Sequence, residues 1–141
     1  MALDGKTLRG TQKHLVDDQR RMHQVNLYET QTGIVLKEQI VAEKESEQSR
    51  VNEWLIPLYL KGRVLTADAL HTNASVCASI VASGGDYLLF AKGNQPILST
   101  QEWVYGFTSL SPKQASPLRL LALVRDHWAI ENRLHWRRDV I

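Results

Sequence analysis

Arg63-Val64-Leu65-Thr66-Ala67-Asp68, then the stretch from Ala74 to Ala82, then Asp86-Tyr87-Leu88-Leu89-Phe90-Ala91, decides the class of fold. The first run is a short apolar strand whose last residue is an acid. Ala69 to Asn73 turns into a helix that covers roughly residues 74–82, and Gly84-Gly85 stops it. The third run is another buried-type strand, and Lys92-Gly93-Asn94-Gln95-Pro96 follows it as a loop. Strand, helix, strand with no hairpin between them means a parallel crossover.

Upstream, His23 to Tyr28 alternates, with Val25 and Leu27 on one face. Glu29-Thr30-Gln31-Thr32-Gly33 is a turn cluster, and Ile34 to Val41 resumes a β pattern. These make an antiparallel hairpin. Ala2-Leu3-Asp4 reads as the end of a stubby strand entering a turn at Gly5, since Asp-Gly is most often a turn dipeptide. Lys6 to Arg21 reads as a polar, basic loop. Val51, Trp54, Leu55 and Leu58 recur at helical spacing, so a helix is expected from about Glu47, with Pro57 kinking or ending it. The alternation of Trp103, Tyr105 and Phe107 allows a strand in the otherwise unplaced 97–110 region.

Downstream, Ser116-Pro117 suits the opening of a helix, Ser as cap and Pro at the first helical position. On that helix Leu121, Val124, Trp128, Glu131 and His135 share one face, apolar but for Glu131 and His135. A carboxylate on a core-facing stripe needs a partner. The partner is an arginine, a histidine or a metal ion; an ordinary surface pair with Arg125 or His135 is the alternative. Trp128 and Trp136 read as packing residues.

The chain has 141 residues, 43% of them hydrophobic and 23% charged, which suits one globular domain. No apolar run approaches the roughly 20 residues of a membrane span, and the N-terminus lacks a signal-peptide segment, so the expected location is cytoplasmic and away from the membrane. The lone cysteine, Cys77, excludes an internal disulfide and a multi-cysteine zinc site. Net charge is only +2, but the distribution is uneven. Lys6, Arg9, Lys13, Arg20 and Arg21 cluster early, Arg119, Arg125, Arg133, Arg137 and Arg138 late, and Glu38 to Glu53 is acidic. Basic ends near candidate carboxylates suit a polyanion; a solvated charged surface is the plain alternative.

Three strands, helix, strand, helix, strand, helix is the order of a ribonuclease H-like α/β domain: a mixed sheet with an antiparallel hairpin followed by parallel strands, flanked by helices. Ligands of such sheets gather at the carboxyl ends of the parallel strands. Asp4 and Asp68, read as strand ends, can converge there with Glu131.

Leu3-Asp4-Gly5-Lys6-Thr7-Leu8-Arg9-Gly10, Thr66-Ala67-Asp68-Ala69-Leu70-His71-Thr72, Gly84-Gly85-Asp86-Tyr87-Leu88 with Lys92-Gly93-Asn94-Gln95, and His127 to Trp136 with Asp139-Val140 resemble, in order, the blocks of bacterial insertion-sequence transposases of the DDE class, H-repeat-associated type. The resemblance implies that Asp4, Asp68 and Glu131 are the catalytic, metal-binding triad. It implies DNA transposition, with metal-dependent cleavage and strand transfer, on transposon ends and target DNA. Carboxylates are hard ligands suited to magnesium or manganese, and two ions about 3.5–4 Å apart serve both ends of a phosphoryl displacement. Lys6, Arg9, Lys92 and Arg133 are the candidate phosphate contacts; His71 and Asn94 are candidates for orienting the acids.

Against the family pattern, a DNA-binding region before the first Asp block is missing, Pro96 to Ala115 stands where members carry a longer insert, and the chain stops just after Asp139-Val140. Residues 1–141 are therefore expected to be a single, truncated and internally deleted catalytic domain, defective in full transposition. The position one turn before the glutamate, often arginine in related transposases, is His127. The alternative is a non-catalytic remnant that binds DNA, or pairs with a second copy or with intact transposase.

Overall fold

A computed structural model describes residues 1–7, 23–41, 50–68, 73–92 and 104–135. Its strands are β1 (Ala2–Thr7), β2 (His23–Glu29), β3 (Ile34–Val41), β4 (Val64–Ala67), β5 (Asp86–Lys92) and β6 (Val104–Thr108). They form one mixed sheet in the order β3-β2-β1-β4-β5-β6. The helices are α1 (Pro57–Leu60), α2 (Ala74–Ala82) and α3 (Pro117–His127), and a π-helical turn, Ile130–His135, follows. The α/β expectation holds: β1, β2 and β3 are antiparallel, and β4 is parallel to both β1 and β5.

The hairpin forms where its sequence placed it. Gly33 closes the turn at φ 76°, a backbone region costly for side-chain-bearing residues, and its N–H donates to the Glu29 carbonyl at 2.9 Å. Helix α2 opens on Asn73, whose Oδ1 accepts from Val76 N–H at 3.0 Å. Its buried positions, Val76 and Ile80, are four apart and face the sheet.

Alternation sends the two faces of the sheet to two different layers. Leu3, Val25, Leu27, Leu65, Ala67 and Leu89 join Val76, Ile80, Val51, Trp54, Leu55 and Leu60 in the main core. On the opposite face Ala2 and Tyr28 pack against Ile130, with Val35 and Leu134 at the margin. Helix α3 lies against β4 and the π-helical turn against β1. The C-terminal segment thus covers the second face.

Four expectations need correction. First, β1 does not end at Asp4. It continues to Thr7 because β2 supplies a partner for every residue, Asp4 opposite Asn26 and Gly5 opposite Val25. The ladder runs on through Gly5 to Thr7, so the Asp-Gly turn is overruled.

Second, the inward face of the last helix is not Leu121, Trp128 and Glu131. Leu121 and Trp128 are 45% and 51% exposed, whereas His127 and Ile130 are buried. The inward line is His127, Ile130 and Leu134, also at spacings of three and four. The sheet offers a polar partner, Thr66, to the imidazole, which a tryptophan in that place would leave without a hydrogen-bonding ring nitrogen on that side.

Third, Leu58 is not on the inward face: the helix ends ahead of Pro57, as a proline there allows, and Pro57 opens the separate helix α1. The preceding helical stretch stops at residue 54, and Leu58 lies exposed. Fixed φ and the missing N–H suit proline to the first helical position.

Fourth, the sheet gains a sixth strand. β6 runs antiparallel to β5 along the edge, fastened by Thr108 Oγ1 donating to the Tyr87 carbonyl (2.6 Å) and Ser109 Oγ donating to Asp86 Oδ1 (2.8 Å). The alternation of Tyr105 and Phe107 had allowed this strand. Among the described residues, no helix is long and apolar enough to cross a membrane.

Candidate active site

Strand β1 is the centre of the site, because it alone pairs with β2 on one side and β4 on the other. Its ladder with β4 puts Ala2 opposite Thr66 and Leu3 opposite Ala67. Asp4 continues β1 beyond this ladder, and Asp68 follows Ala67, the last residue of β4. Alternation along β1 puts Asp4 on the face of Ala2, away from the main core. Asp4 Oδ1 accepts from the N–H of Gly5 at 2.9 Å, which orients the carboxylate.

Glu131 belongs to the segment that covers this face. It follows Ile130, which is fully buried against Ala2 and Tyr28, while Glu131 itself is exposed. The π-helical turn that bears Glu131 thus packs against the strand that bears Asp4. Among the described residues, no three His, Cys, Asp or Glu side chains stand close enough together to form a metal-holding group.

The other predicted residues divide sharply. Lys6 is half-buried and two residues beyond Asp4, so it shares the Asp4 face. Arg133 is exposed on the π-helical turn. Lys92 closes β5, but its side chain lies outside the described residues, as do Arg9, His71 and Asn94 altogether.

Three residues not assigned to the site lie in or beside it. Asn26 is fully buried on the rung opposite Asp4 and is bonded by Gln24 Nε2 to its Oδ1 at 3.4 Å. Thr66 lies two residues before Asp68, and its hydroxyl is 3.0 Å from the Met1 carbonyl and 2.9 Å from His127 Nδ1. His127 is 7% exposed, with the Phe90 ring 5.0 Å away, centroid to centroid. Burial lowers the His127 pKa below its ordinary value; the Asp68 charge opposes that shift, and the Met1 ammonium adds to it. Gln24 and Asn26 alternate with Val25 and Leu27, so in sequence they read as a solvent face. Their burial depends on the covering segment, which the hairpin pattern does not reveal.

Chemically, carboxylates such as Asp4, Asp68 and Glu131 are hard ligands of the kind that divalent cations take. A model of the family described as "Transposase DDE domain" matches residues 1–140. The chain is 24% identical to the "H repeat-associated putative transposase YhhI" of Escherichia coli strain K12, over 100% of this chain and 56% of that protein. That alignment runs over 215 positions, against 141 residues here. An uncharacterized protein in the dhlA 3′ region of Xanthobacter autotrophicus is 29% identical, over 100% of this chain and 46% of its own length. YncI of Escherichia coli strain K12 is 35% identical over 67% of this chain and 38% of its own. The chain spans about half the length, or less, of these relatives. No solved structure gives a significant match.

Proposed function

The chain belongs to the transposase DDE domain family, and from that premise we propose that it is a ribonuclease H-like catalytic domain whose Asp4, Asp68 and Glu131 hold divalent metal for cleavage and strand transfer of DNA. The observation that supports this reading is the β1–β4 ladder, which runs the segments leading into Asp4 and Asp68 alongside each other, with the π-helical turn that bears Glu131 packed against β1. The three carboxylates would hold the ion. The Gly5 N–H bond fixes one Asp4 oxygen and leaves the carboxylate oriented for this task.

Magnesium or manganese bound there supplies activation of the attacking oxygen and stabilisation of the leaving oxygen at phosphorus. The chain's own residues do the rest. Lys6, on the Asp4 face, and exposed Arg133 take DNA phosphates, with Arg9 and Lys92 completing the set. His71 and Asn94 orient the acids. Residues 96–115 stand in place of a longer family insert. A homodimer, or a pairing with intact transposase, is the chain's assembly on DNA.

A second reading has one observation in its favour: no three-membered metal-holding group is present among the described residues. On that reading the chain binds DNA, or intact transposase, without cutting. Nicking of supercoiled plasmid in manganese separates the two. Nicking by the wild-type chain that Asp68→Asn abolishes supports catalysis. Salt-sensitive DNA binding without nicking, unchanged in Asp68→Asn, supports the second reading and overturns the first.

A further inference from the structure

We propose that His127 is a positioning residue: its Nδ1–H donates to Thr66 Oγ1 and fixes the segment carrying Glu131 against β4, the strand that leads into Asp68. This rests on the reading of Asp4, Asp68 and Glu131 as the metal-binding set.

Proton counting assigns the bond. The Thr66 hydroxyl carries one proton. The Met1 carbonyl, 3.0 Å away, can only accept, so the hydroxyl donates there. His127 Nδ1 lies 2.9 Å from the same oxygen and must therefore supply its own proton. The imidazole is thereby held as the Nδ1–H tautomer, with the lone pair on Nε2.

The link ties together the parts that must meet. Met1 leads directly into β1, which carries Asp4. Thr66 lies on β4, two residues before Asp68. His127 is the last residue of α3, and Glu131 follows it by four. The α-helix gives way to the π-helical turn just beyond this point, at Ile130. Such changes of helical pitch concentrate at functional sites. A fixed point at the start of the change sets where the glutamate leaves the helix. An apolar ring would fill the same buried space beside Phe90, but it could not donate to Thr66. The hydrogen bond is thus the feature that distinguishes histidine here.

The test uses the full chain and two measurements. Long-range ¹H–¹⁵N NMR above neutral pH reads the tautomer: a proton on Nδ1 of His127 is expected, and a proton on Nε2 overturns the assignment. Manganese titration by calorimetry then reads the position of Glu131. His127→Phe is expected to lower affinity about tenfold, in the range seen when supporting bonds behind metal ligands are removed. Adding Glu131→Gln to it is expected to cost nothing more, although Glu131→Gln alone weakens the wild type. His127→Asn, which keeps an N–H near the Nδ1 position, is expected to restore most of the affinity. Thr66→Val leaves the ring in place and removes the hydroxyl, so it gives the same loss even if His127→Phe does not fold. Wild-type affinity in Thr66→Val, together with weakening by Glu131→Gln, overturns this proposal alone. Wild-type affinity in Asp68→Asn and in Glu131→Gln sinks the metal reading, and this proposal with it.

Discussion

Leu3 pairs with Ala67 in the parallel ladder of β1 and β4, so the segments that lead into Asp4 and Asp68, far apart in the chain, run alongside each other. Neither acid contributes to the apolar core, so each can be changed without opening a cavity. Asp68→Asn is expected to alter stability by less than about 0.5 kcal/mol in metal-free buffer, as for other substitutions outside the core. In manganese the outcome differs. A ligand at a hundred times its dissociation constant stabilises the folded chain by about 2.7 kcal/mol, and the variant is expected to lose that increment. Thermal unfolding with and without manganese reads both numbers; an equal manganese response in the two proteins refutes the assignment of Asp68.

His127 predicts a pH dependence. In the unfolded chain its pKa is about 6.5, and burial lowers it in the folded chain. Between those two values the unfolded state holds more protons, so stability rises with pH there. The contribution is fully present above about pH 6.5 and is lost as pH falls through the folded pKa. Urea midpoints measured from about pH 8 to pH 5 are expected to decline more steeply on the acid side in wild type than in His127→Phe. Parallel curves for the two proteins contradict it.

The face of the last helix is open to a paired test. Ile130 is fully buried between the π-helical turn and the strands, so Ile130→Ala is expected to cost about 2–5 kcal/mol. Trp128 is 51% exposed, and Trp128→Ala is expected to cost less than about 1 kcal/mol. Chemical denaturation ranks the two. The reverse ranking would restore the stripe read from the sequence.

Gly85 is small for a steric reason. A Cβ there would lie 2.8 Å from the Leu60 carbonyl oxygen and 3.1 Å from Leu60 Cβ. Backbone cannot yield as a flexible side chain does, so Gly85→Ala is expected to destabilise by about 1–3 kcal/mol. At Gly62 nothing lies within 4 Å of the added carbon, and the cost comes from φ +70 alone. A lower urea midpoint for Gly85→Ala than for Gly62→Ala checks the difference.

Much of the sheet was legible because its signals are local. The hairpin announces itself by alternation and a glycine turn, and α2 by its cap and the glycines after it. What was misread depends on distant partners. Gly5 looks like a turn until β2 is alongside. Trp128 looks like the core residue of its helix until Thr66 offers a hydrogen bond to its neighbour. Asn26 and Thr66 look like ordinary polar strand residues, and only the covering segment turns them into the surroundings of the acids. Asp68 does follow the end of its strand, as its sequence suggests, but Asp4 proved to be interior to its strand.

The Met1 carbonyl receives both the amide and the hydroxyl of Thr66, across a sequence separation of 65. Closing so wide a loop carries an entropic toll that nearer contacts, such as the β2–β3 hairpin, avoid. The hairpin can therefore assemble early, while the union of β1 with β4 belongs among the slow, non-local steps of folding. The segments that carry Asp4 and Asp68 come together only at that step. Any chemistry the two acids share waits for that late junction of the backbone.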